Sequence, residues 1–134
     1  MDISLLKIEF SSSKGMKIQW SGAHNPLFYV QNHEFIKIAA DKQPIGKHDN
    51  RISFTAHNIS PKPNTIFYLF SDGYADQFGG PHGKKLMSKT FKELLLVNSN
   101  LPMPGQKNVL DERIERWKGD REQVDDILVI GIRV

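Results

Sequence analysis

Two runs of nearly continuous β-branched and aromatic residues constrain this chain most. Thr65-Ile66-Phe67-Tyr68-Leu69-Phe70 and Ile127-Leu128-Val129-Ile130-Gly131-Ile132 offer no polar face to water. Strands of that kind are covered on both sides, so they belong inside a layered domain. Elsewhere the pattern alternates more loosely. Ile3 to Phe10 and Met16 to Trp20 flank Ser11-Ser12-Ser13-Lys14-Gly15 and read as a hairpin. Leu27 to Val30 follows Pro26, Asn32-His33 supplies a turn, and Phe35 to Ala39 returns as the partner strand. Asp41 to Arg51 holds Pro44, Gly46, Asp49 and Asn50 and reads as a loop, followed by a strand over Ile52 to Ile59 and a rigid Pro61-Lys62-Pro63-Asn64 turn.

The period then changes. Asp76 to Lys85, with Gly79, Gly80, Pro81 and Gly83, reads as a flexible loop. From Ser88, the residues Phe91, Leu94 and Leu95 share one helical face. Leu101-Pro102-Met103-Pro104-Gly105 separates a second helix with Val109, Leu110, Ile114 and Trp117 on one face and Gly119 as its cap. Strands, two helices and a last strand predict an α+β fold, with helices gathered on one face of a largely antiparallel sheet. Trp20, Phe67, Tyr68 and Trp117 are expected in the core.

The 134 residues fit one domain. With no cysteine, disulfides, thiolate zinc sites and a cysteine nucleophile are excluded. No apolar run reaches the roughly 20 residues of a membrane span, and Met1-Asp2-Ile3-Ser4 is unlike a signal peptide, so a cytoplasmic location is expected; a larger parent could still be membrane-anchored. The net charge of +3 comes from Lys and Arg spread along the chain, without a basic run interleaved with aromatics. Nucleic acid is therefore not expected as a partner, whereas a mildly basic surface favours a phosphorylated or acidic one.

Candidate chemistry sits at two acidic corners. Ser71-Asp72-Gly73-Tyr74-Ala75-Asp76 leaves the first apolar run, and Asp125-Asp126 enters the second. If those strands are antiparallel neighbours, the corners meet at one sheet end, and strands roughly 4.8 Å apart would let Asp72 and Asp125 share a cation. Crowded carboxylates repel unless a cation joins them, and hard oxygen donors select Mg²⁺ or Mn²⁺. The plainer reading makes Asp72-Gly73 a turn and Asp125-Asp126 a solvated loop. His24, in Ser21-Gly22-Ala23-His24-Asn25-Pro26, is a secondary candidate that a simple backbone turn would also explain. His33, His48, His57 and His82 show no ligand spacing, and Gly79 to Lys85 lacks the Walker pattern.

Ser21-Gly22-Ala23-His24-Asn25-Pro26-Leu27, Asp41-Lys42-Gln43-Pro44-Ile45-Gly46, Tyr68-Leu69-Phe70-Ser71-Asp72-Gly73-Tyr74-Ala75-Asp76-Gln77-Phe78-Gly79-Gly80 and Asp125-Asp126-Ile127-Leu128-Val129-Ile130 occur in that order. Together they resemble the C-terminal part of the SpoIIE-like branch of the type 2C (PPM) metal-dependent protein serine/threonine phosphatases. The resemblance implies a partial α-β-β-α sandwich with a Mn²⁺ or Mg²⁺ pair at one sheet edge and a metal-bridging water that attacks the phosphoserine or phosphothreonine phosphorus. It assigns metal-ligand or catalytic positions to Asp72 and Asp125, with Gly73 in the same metal motif. Asp126 falls at a variable neighbour, and Asp76 at a weaker third-metal position. It implies a phosphorylated regulatory protein as partner, such as an anti-sigma antagonist, and a sensory domain upstream in the parent protein.

The family's Asp-x-x-Gly-His-Gly type motif has no match in residues 1 to 134. The expectation is therefore a single truncated domain with weak metal binding and little activity of its own. One sheet face would be left uncovered, as a surface for dimerisation. A phosphatase-like module that binds phosphoprotein without turnover is the alternative, and a plain α+β interaction domain is a third reading.

Overall fold

The computed structural model describes residues 1–13, 15–46 and 52–134. In chain order its elements are β1 (Ile3–Ser11), β2 (Gly15–Ala23), β3 (Leu27–Gln31), β4 (Glu34–Ile38), β5 (His57–Ile59), β6 (Ile66–Phe70), α1 (Gly73–Asp76), β7 (Phe78–Gly79), β8 (Lys84–Lys85), α2 (Ser88–Val97), α3 (Met103–Lys118) and β9 (Val129–Arg133). The fold is α+β, as expected.

The period-2 pattern does what side-chain alternation requires. β1 and β2 pair antiparallel from Ile3↔Ala23 to Ser11↔Gly15, and β5 adds to β2 through Ile18↔Ile59 and Trp20↔His57. Leu6, Ile8, Ile18 and Trp20 turn inward, while Lys7, Glu9 and Lys17 turn to water. The second sheet runs β4-β3-β6-β9, all antiparallel. Asn32 and His33 join β3 to β4 with φ of 51° and 62°, the two left-handed residues of a tight hairpin.

β6 explains its own composition. Phe67 and Leu69 pack with Ile18, Trp20 and Leu27 between the two sheets. Ile66, Tyr68 and Phe70 pack on the other side with Phe91, Leu95 and Ile114 of the helices. A strand with apolar layers on both faces has no use for polar residues, and each buried aromatic or aliphatic side chain contributes roughly 1.5–3 kcal/mol. The layers are therefore sheet, sheet and helices. Among the described residues, the outer face of β1 and β2 stays open; it mixes the exposed Ile3 and Leu5 with Lys7, Glu9 and Lys17.

Several local expectations are corrected. Residues 52–56 are not strand. Gln43 stands in for a pairing strand: its Nε2 donates to the Ile52 carbonyl at 2.8 Å, and its Oε1 accepts from the Ile52 amide at 3.2 Å. The Gly-rich segment 76–85 is not a loose loop but carries the small β7–β8 ladder. Gly79 and Gly80 lie directly against Trp117, whose carbonyl accepts from Gly80 N at 2.8 Å and whose Nε1 donates to the Gln77 carbonyl at 3.0 Å. α3 begins at Met103, inside the supposed Leu101 to Gly105 break, because Pro104 sits in the first turn, where its fixed φ suits a helix. The predicted turn at residue 14, the loop over 47–51 and His48 lie outside the described residues.

Candidate functional site

The two acidic corners do meet. β6 and β9 pair antiparallel up to Phe70↔Val129, so the exit of one strand lies beside the entry of the other. Ser71 fastens them. Its amide donates to the Leu128 carbonyl at 3.0 Å, its Oγ donates to the Asp126 carbonyl at 2.7 Å, and Oγ accepts from Leu128 N at 3.0 Å. Gly73 makes the approach possible. A Cβ at that position would collide with the Asp126 carbonyl oxygen and lie 2.9 Å from its carbon. The glycine is needed for closeness, not for an unusual φ.

Asp72 caps the short α1 with an ordinary φ of −74° and accepts Asp76 N through its carbonyl at 2.9 Å. Its exposed carboxylate makes no hydrogen bond or ion pair among the described residues. Asp125 is also exposed; its Oδ1 accepts from Asp126 N at 2.7 Å, which leaves one oxygen open. Asp126 contributes its carbonyl to the Ser71 clasp. Asp76 is occupied differently: its carboxylate is ion-paired with Lys85 Nζ at 3.0 Å, so a cation there would compete with that lysine. Gln77, fully buried, ties the end of α1 to the segment before Asp125 by donating to the Glu122 carbonyl at 3.0 Å.

His24 lies in one cleft with Asp72. The cleft, of about 480 Å³, is also lined by Asp2, Phe28, Lys37, Phe70 and Lys92. His24 has a φ of 56° and its amide donates to the Asp41 carbonyl at 2.9 Å. Asp41 in turn accepts from the Thr55 amide at 2.7 Å and hydroxyl at 2.9 Å, bonds that hold its carboxyl below the usual carboxylate range. The His24 turn is thus pinned from behind.

The donors fit a hard divalent cation in kind: carboxylates with open oxygens and no sulfur. Among the described residues no group of three or more His, Asp or Glu side chains is placed to hold a metal, so a bridged pair needs ligands beyond this set. Lys37, Lys92 and Ser71 were not singled out in the sequence. The lysines interrupt apolar faces of β4 and α2, which was the available signal.

A family model described as Stage II sporulation protein E (SpoIIE) matches residues 3–134. No curated protein sequence matches the chain. Among solved structures, the SiaA-PP2C domain of Pseudomonas aeruginosa is 26% identical with a TM-score of 0.78, over 88% of this chain and 46% of that one. The phosphatase domain of the cell fate determinant SpoIIE from Bacillus subtilis, presoaked with Mn, has a TM-score of 0.64 at 15% identity, over 98% of this chain and 56% of that one. The PPM Ser-Thr phosphatase MsPP of Mycobacterium smegmatis, in complex with cacodylate, has a TM-score of 0.52 at 14% identity, over 96% and 60%. The last two likenesses show the fold alone. The chain spans about half the length of the structures it matches.

Proposed function

The chain belongs to the SpoIIE family of PP2C-type phosphatase domains, and on that footing we propose that it supplies one side of the metal centre of a serine/threonine protein phosphatase. The observation that carries this reading is the Ser71 clasp, which brings the Asp72 turn against Asp125-Asp126. Asp72 would offer its unpaired carboxylate and Asp125 its remaining oxygen to the cation, and Gly73 lets the two backbones approach. Mn²⁺ or Mg²⁺, when bound, would supply a water activated for in-line attack on phosphorus. His24 and the cleft beside Asp72 would receive the phosphorylated segment. Asp76 is a weaker ligand candidate because Lys85 neutralises it.

The substrate we propose is a phosphorylated regulatory protein of the anti-sigma antagonist kind, with the domain controlled by a sensory domain elsewhere in the parent and working in the cytoplasm. Among the described residues no helix is long and apolar enough to cross a membrane. The open outer face of β1 and β2 is the surface we propose for self-association.

The test is Mn²⁺-dependent phosphate release from a phosphoserine peptide by the full-length gene product, with residues 1–134 assayed in parallel. Asp72→Asn should abolish turnover in the full-length protein and leave its melting temperature within about 2 °C, since the carboxylate has no structural partner. A well-folded full-length protein without metal-dependent turnover would leave the non-catalytic phosphoprotein-binding reading, which the small donor set also supports.

A further inference from the structure

The cleft beside Asp72 holds a second feature. Lys37 of β4 and Lys92 of α2 come from different layers, yet both ammonium groups lie over the same ring, that of Phe28, at 5.9 and 4.5 Å from its centroid. Neither makes an ion pair among the described residues, although Asp2 and Asp72 line the same cleft. The ring itself cannot yield. Phe28 is buried and stacks on Phe70 at 5.2 Å and 12°, and Phe70 meets Phe91 edge-on at 4.9 Å. Two like charges are therefore held together on a rigid apolar floor. Lys92 shows the cost: burial, and then the Lys37 charge, hold its ammonium below the ordinary lysine range.

Such a pair is relieved by an anion between the two nitrogens. A cation over a ring keeps its N–H groups free on the side away from the ring, so both lysines can donate into the cleft. We infer that Lys37 and Lys92, over Phe28, form an oxyanion subsite for the phosphoprotein substrate beside the Asp72 corner. The inference rests on the phosphatase reading for the identity of that substrate. The oxyanion is either the phosphoryl group or a carboxylate next to the phosphoserine, and both present the same chemistry to two ammonium groups.

Fluorescence anisotropy separates these sources, using labelled Ala-Glu-phosphoserine-Glu-Ala and Ala-Ala-phosphoserine-Ala-Ala peptides with the 134-residue chain. Lys37→Gln and Lys92→Gln together should weaken the acidic peptide about tenfold, with Lys→Arg at both positions restoring it. If only the acidic peptide weakens, the flanking carboxylate occupies the subsite; if both weaken equally, the phosphoryl group does. Unchanged binding of both peptides by the Gln variant overturns the subsite, as does a wild-type chain that binds neither. Binding needs no turnover. A full-length protein that fails to hydrolyse the peptide while the tenfold loss persists would therefore sink the phosphatase reading alone. Full hydrolysis with no effect of the lysines would sink the subsite alone.

Discussion

Replacing Gly73 with Ala adds one methyl group where the structure has no room for it. The new Cβ would overlap the Asp126 carbonyl oxygen and sit 2.9 Å from the carbonyl carbon and 3.3 Å from Ile127 Cγ1. The first two neighbours are backbone, so no side-chain rotation relieves them. α1 cannot retreat either, because Tyr74 and Ala75 behind Gly73 are buried and Tyr74 Oη donates to the Leu110 carbonyl at 2.9 Å. The segment carrying Asp125 and Asp126 must move away. Overpacking of this kind costs about 1–3 kcal/mol. At roughly 4 °C per kcal/mol for a chain of this size, the melting temperature should fall by about 4–12 °C. Amide exchange locates the damage, since Leu128 N, held by Ser71 Oγ, should exchange much faster than in the wild type. Gly15→Ala is the control. Its Cβ meets nothing within 4 Å, but its φ of 71° makes the substitution cost about 1–2 kcal/mol, without touching Leu128 exchange. A Gly73→Ala chain that melts with the wild type and keeps Leu128 protected would refute the argument that closeness is what this glycine provides.

Two further substitutions test the scaffold. Asp41→Asn should lower the melting temperature at neutral pH. Because the Asp41 carboxyl is held below its unfolded value, its stabilisation is present above that value and is lost as pH falls through the folded one, so the gap between the two proteins should close below about pH 4. A gap independent of pH would show that the Thr55 bonds do not depend on the charge. Gln106→Leu should cost about 2–4 kcal/mol in urea unfolding, because it strands the buried Tyr68 hydroxyl, which donates to Gln106 Oε1 at 2.7 Å, and removes the amide donors of the Ser99 and Leu101 carbonyls. Adding Tyr68→Phe should recover part of that loss.

The apolar runs made the architecture legible. Thr65 to Phe70 announced a strand covered on both faces; its companion from Ile127 placed two acidic corners at one sheet end, but its strand Val129–Arg133 lies at the sheet edge with Leu128 and Ile130 exposed, not covered on both sides as its composition predicts. What the pattern concealed was polar mimicry and close packing. Ile52 to Ala56 alternates like a strand, but the Gln43 amide and the Asp41 carboxylate bond its backbone in place of a neighbouring strand. Gly79 and Gly80 suggested slack, whereas their missing side chains make room for Trp117. Lys37 and Lys92 lie 55 positions apart and share a ring that neither sequence neighbourhood reveals, since a cleft built from two layers has no local signature. The metal-ligand roles proposed for Asp72 and Asp125 rest on the family resemblance; the residues alone left a turn and a solvated loop as equal readings.

The Ser71 clasp also sets when the acidic corner can exist. Its partner Asp126 is 55 residues further along the chain. A contact of that separation bears a large loop-closure entropy before it returns any energy, so it forms after local hairpins such as β1–β2 and β3–β4 and after the helices. Neither half of the proposed site is complete until the last strand is seated. Any ligand joining the two halves therefore draws its affinity from, and returns its stabilisation to, the docking of β9. Occupancy of the corner and closure of the second sheet become a single equilibrium, and a cation added during refolding should speed no early step but hold the final one closed.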